Sequence, residues 1–157
     1  MENKEFDFHE IKTFEDACKR LGLPEESLIV ESCGVASAYD AANALYKLLV
    51  IQKAINNGKW RDKDGWSYYP YWVLYSEKGM KRMSENEKHI YDFKELTLCT
   101  NAGYTIYSGV RCAVANGGAN ITAYGYPLFY HSKEAALYAG RQFEDLFFQY
   151  YGIKVKE

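Results

Sequence analysis

The side chains best suited to chemistry lie between positions 59 and 75. Lys59, Trp60, Arg61, Trp66, Tyr68, Tyr69, Tyr71 and Trp72 set indoles and phenols beside cations. Rings next to Lys or Arg can hold nucleobases, each stacking contact being worth about 1–3 kcal/mol. The same residue types form the anchor points of protein interfaces. The plainer alternative is that every second residue of the run is the core side of a strand, with the Trp rings capping a helix behind it. Arg111 is a further candidate, because it stands alone among apolar strand residues. It either receives a carboxylate or phosphate from a ligand or pairs with an acidic residue of a neighbouring element. The candidate ligand- or partner-binding residues are therefore Trp60, Arg61, Trp66, Tyr69, Tyr71, Trp72 and Arg111.

Other chemistries find less support. Cys18, Cys33, Cys99 and Cys112 are widely spaced with no CxxC pair, which reads as free thiols in a reducing compartment. His9, His89 and His131 lie at no ligand spacing from one another or from cysteine, so no metal site is expected unless folding gathers them. Asp62-x-Asp64-Gly65 resembles the start of a calcium loop, but its glycine is misplaced and Val73 stands where a bidentate Glu is needed. There is no GxSxG elbow, GxGxxG loop or Walker loop, so no catalytic residue and no cofactor are expected, and the chain reads as a non-enzyme. A net charge of −2 supplies no global attraction for phosphate backbones or anionic lipid. No apolar run approaches the ~18 residues of a membrane span, and the acidic N-terminus lacks a signal-like core. A soluble, cytoplasmic protein without membrane partners is expected.

With 157 residues, the chain suits one domain, 1–157. Its 17% aromatic content, with fifteen tyrosines, asks for half-buried sheet faces or a binding surface. Phe6 and Phe8 alternate with charges as in a short edge strand or extended arm. Thr13 with Asp16 forms a capping-box start for a helix to Leu21 that Gly22 and Pro24 end. A second, Ala-rich helix starts near Ser37 and stops at Asn56-Asn57-Gly58. Pro70 places the aromatic run at a sheet edge, a bulge or a strand start. The charged stretch 76–95 reads as a mobile loop or insertion with a helical turn. Period-two alternation then gives a strand over 104–114, a hairpin turn at Asn116-Gly117-Gly118 and a return strand over 120–130. Ser132 to Tyr151 is read as one helix, with Ala136, Ala139, Phe143, Leu146, Phe147 and Tyr150 on its buried face. Lys133, Glu134, Arg141, Glu144 and Asp145 fall off that face. Gly140 in mid-helix implies close approach to the sheet. The expected fold is α+β: an antiparallel sheet of about four strands, two N-terminal helices and a C-terminal helix packed on one sheet face. Tyr107, Tyr124, Tyr126 and Tyr130 are expected on the other face, which the second helix covers or which binds a partner, including a second copy.

Three stretches carry a resemblance: Ile11–Lys19; Lys47–Tyr71, with Ala-Ile-Asn-Asn-Gly-Lys-Trp and Tyr-Tyr-Pro-Tyr-Trp; and Ser132 through the Ala-Gly-Arg-Gln-Phe-Glu-Asp-Leu-Phe segment. Together they resemble a family of small proteins of bacteriophages and prophages in gut Bacteroides-type bacteria. The resemblance covers about half the chain, and residues 76–100 depart from it. It implies a phage gene product in a host cytoplasm and brings no catalytic residues. The leading expectation is a non-enzymatic protein that binds a host or phage protein or a small ligand, with a homodimer as one expected form. The alternatives are an accessory single-stranded nucleic-acid binder and a counter-defence protein that sequesters a signalling nucleotide.

Overall fold

The structure, a computed structural model, describes residues 6–25, 36–59, 66–91, 93–97, 105–116 and 128–153. Among these residues the fold is α+β, with six α-helices and one three-stranded antiparallel sheet. A 3-10 turn at Phe8–Glu10 stands where a short strand or arm is expected, with the Asp7 carboxylate accepting from the His9 N–H. Helix α1 (Phe14–Leu21) begins on the reciprocal Thr13–Asp16 capping box and ends at Gly22, which adopts φ 64°. Helix α2 (Ala36–Ile55) takes Ser37 into its first turn and stops where Asn57 and Gly58 turn left-handed, at φ 55° and 82°.

Strand β1 (Trp66–Ser76) pairs along its length with β3 (Thr105–Asn116), and β2 (Lys94–Thr97) pairs on the far side of β3, giving the order β1-β3-β2. Pro70 is tolerated for a geometric reason. Tyr68 exchanges both backbone hydrogen bonds with Tyr130, at 2.9 and 2.7 Å, on the edge away from β3. Pro70, two residues on, shares that orientation, so its missing N–H removes nothing from the β1–β3 ladder. The hairpin turn and most of the expected return strand lie outside the described residues. Their last residue, Tyr130, bridges to β1 on the edge opposite β3.

The charged stretch after β1 is helical rather than a loop. It carries α3 (Glu77–Arg82), capped by Ser76, and α4 (Glu85–Tyr91), where Ser84 and Glu87 exchange side-chain and backbone hydrogen bonds as a capping box. The C-terminal helix is divided. Helix α5 (Lys133–Gln142), capped by Ser132, ends at Phe143, whose ψ of 26° breaks the geometry before α6 (Glu144–Tyr150). The break lets α5 lie on β1 and β3 while α6 turns to pack on α2. Phe14, Ala17, Leu48, Ile51, Ala136, Ala139, Phe143 and Phe147 join these elements in one apolar core.

Candidate functional site

Strand alternation divides the aromatic run. The β1–β3 register pairs Pro70 with Cys112, Trp72 with Val110 and Leu74 with Ser108, and these side chains share the face that α5 and α6 cover. Trp72 packs there against Phe147, Phe148 and Tyr151, with ring centroids 4.7, 5.7 and 6.0 Å away. Its indole is therefore on the core side, as the plainer reading of the run has it. Half-buried Cys112 sits on the same face, and burial raises its thiol above the ordinary value.

Tyr69, Tyr71, Val73 and Tyr75 point the other way. Across the ladder they stand beside Ala113, Arg111, Gly109 and Tyr107. Tyr71 and Arg111 are direct cross-strand partners and both are half-buried. Tyr69 meets Phe129 edge-on at 5.8 Å. Helix α3 packs at the far end of this face, where its Lys81–Glu77 pair (2.6 Å) lies beside Tyr107. Burial first, and then the Glu95 carboxylate opposite it, raise the Tyr107 phenol above its ordinary value. The fold thus brings Tyr69, Tyr71 and Arg111 together and sends Trp72 elsewhere. Trp66 opens β1, while Trp60 and Arg61 lie outside the described residues. Tyr130, expected on the free face, is instead in the core at 1% exposure, where burial pushes its phenol far above the ordinary value.

A second cluster has no counterpart in the sequence reading. Glu144, expected off the buried face, is only 8% exposed. Its Oε1 accepts from Ser108 Oγ at 3.3 Å and its Oε2 accepts from Lys94 Nζ at 3.1 Å. The break at Phe143 changes the helical phase and turns this carboxylate toward the sheet. No local pattern announces that turn, although a Ser on the apolar side of a strand is a polar group that needs a partner. Among the described residues no group of His, Cys, Asp and Glu could hold a metal ion, and no helix is long and apolar enough to cross a membrane. No protein-family model matches the chain, and no curated protein or solved structure does either.

Proposed function

We propose that this chain is a non-enzymatic binding protein of a phage or mobile element. It docks a host-cell protein through the sheet face built from Tyr69, Tyr71, Val73 and Arg111. The observation that supports this reading is the cross-strand pair Tyr71 and Arg111, both half-exposed on the side of the sheet away from α5 and α6. Tyr and Arg are the residues from which interface anchors are made: each offers broad contact area together with a hydrogen-bonding tip. A ring beside a guanidinium also favours a second reading, single-stranded nucleic acid, because bases stack on such a pair. The phage context comes from the sequence resemblance.

Affinity capture from host lysate, comparing the wild-type chain with Tyr71→Ala and Arg111→Ala, tests the assignment. The expected result is a protein that the wild type retains and that either variant loses at least tenfold, with circular dichroism unchanged. Retention that is equal in all three sinks the proposed face. Binding of a labelled oligothymidylate that weakens steeply between 50 and 200 mM salt moves the assignment to nucleic acid.

A further inference from the structure

The other side of the sheet carries a feature independent of that face. Between the β2–β3 edge and the α5–α6 break lies a cavity of about 390 Å³ lined by Phe93, Lys94, Ser108, Val110, Arg141 and Glu144. Cavities of roughly 300–1,000 Å³ are those that enclose small molecules. Its charged groups are unevenly matched. Glu144 is nine-tenths buried and fixed at both oxygens, by Ser108 Oγ and Lys94 Nζ, so it is held as an oriented carboxylate with remaining lone pairs. Lys94, 60% exposed, balances that charge. Arg141 is exposed and makes no ion pair among the described residues, so its guanidinium contributes an unmatched positive charge at the rim. Val110 gives the remaining wall an apolar patch, whereas the Phe93 ring is turned to the opposite face of the sheet, edge-on to Tyr75 at 5.6 Å.

We infer that this cavity is a binding site for a small organic anion that also carries a hydrogen-bond donor and an apolar group. Arg141 takes the anionic group, bidentately if it is a carboxylate or phosphate. Glu144 accepts from the ligand's hydroxyl or ammonium group, held in place by Ser108. Val110 meets the ligand's apolar group. A purely structural ion pair would explain why Glu144 is paired. It does not explain why the pair lines a cavity of ligand size with a second cation at its mouth that has no ion pair among the described residues.

Isothermal titration with two probes tests the site, each at up to millimolar concentration. They are adenosine 5′-monophosphate, whose anion is a phosphate and whose donors are ribose hydroxyls, and L-phenylalanine, whose anion is a carboxylate and whose donor is an ammonium. The expected result is submillimolar binding of at least one, no binding of adenosine, and a loss of at least tenfold in Arg141→Ala. Arg141→Lys should restore part of the affinity. Glu144→Gln, which keeps the shape but not the charge, should also weaken binding. Which probe binds identifies the source of the anion. Arg141 is exposed, so an unchanged melting curve separates loss of the site from loss of the fold. If neither probe binds, or if Arg141→Ala binds as tightly as the wild type, the assignment is wrong. Tyr71→Ala lies on the opposite face and should leave this titration unchanged, which keeps the two assignments separable.

Discussion

Tyr130 Oη and Trp72 Nε1 are among the buried polar atoms that have no hydrogen-bond partner among the described residues. An unpaired buried group of this kind costs about 1–3 kcal/mol. Tyr130 is held there because its backbone bridges to Tyr68 and its ring fills the interior, so the hydroxyl is carried in with the ring. Tyr130→Phe should therefore leave stability at pH 7 unchanged or raise it by up to about 2 kcal/mol, read from urea unfolding. The alkaline limb gives an independent test. Burial raises the native phenol's pKa, whereas the unfolded chain releases this proton near the ordinary value of 10.0. Above that pH the native state binds more protons than the unfolded one, so stability falls as pH rises, by about 1.4 kcal/mol per pH unit for one proton. Tyr107, Tyr138 and Tyr151 are shifted the same way and contribute a background common to both proteins. The wild type should lose stability more steeply than Tyr130→Phe between pH 10 and 11.5, and parallel curves would show that the hydroxyl reaches water. Nothing near position 130 in the sequence distinguishes this tyrosine from its neighbours, because its burial is set by a strand more than fifty residues away.

Helix α5 shows what short-range pattern can and cannot specify. Its Ser132 cap, its buried Ala136 and Ala139, and the close approach at Gly140 all follow from spacing and residue type within a dozen positions. A Cβ built on Gly140 would lie 2.7 Å from Pro70 Cβ and 3.0 Å from Val110 Cγ1. The Thr13–Asp16 capping box is legible for the same reason, and so in principle is Ser84-Glu85-Asn86-Glu87, which the charged composition around it disguises as loop. The kink at Phe143 is different. It resolves a competition between the sheet, which α5 covers, and α2, which α6 covers, and no local signal records that competition. The position of Glu144, and with it the Ser108–Lys94 cluster, is hidden by the same cause. Gly140→Ala measures how strict the helix–sheet approach is. Helix propensity alone favours the alanine by about 1 kcal/mol, but overpacking against a rigid proline ring costs about 1–3 kcal/mol. The expected outcome is a lower urea midpoint, and a higher one would mean that α5 can lift from the sheet without penalty.

At the scale of the whole molecule, the sheet and α2 are joined by a buried polar clamp. The Phe129 carbonyl accepts from Gln52 Nε2 at 2.6 Å and from Asn56 Nδ2 at 2.9 Å, while Asn56 Oδ1 accepts the His131 N–H at 3.2 Å. Asn56 thus has two functions: it helps terminate α2, and it fixes the 128–131 segment that carries Tyr130 onto the edge of β1. The N-terminal turn is tied in similarly, with the Tyr138 hydroxyl donating to the Ile11 carbonyl at 2.8 Å and Gln142 Nε2 to that of Lys12 at 3.0 Å. Only the first role of Asn56 is visible in the sequence, because the second depends on a partner seventy-odd positions away. Two substitutions separate the roles of its amide. Asn56→Ala removes both bonds; the Phe129 carbonyl keeps Gln52, while the His131 N–H loses this acceptor, at a cost of about 1–3 kcal/mol. Asn56→Asp keeps an acceptor for His131 but turns a carboxylate oxygen toward the Phe129 carbonyl in a buried setting. Desolvation of that charge should make it the more damaging change. Urea unfolding should therefore rank wild type above Asn56→Ala and Asn56→Asp lowest, with the gap between the two variants narrowing as pH falls and the carboxylate protonates into a donor. If Asn56→Asp matches the wild type at pH 7, the amide does not bridge these two backbones, and the joint between sheet and helix rests on apolar packing alone.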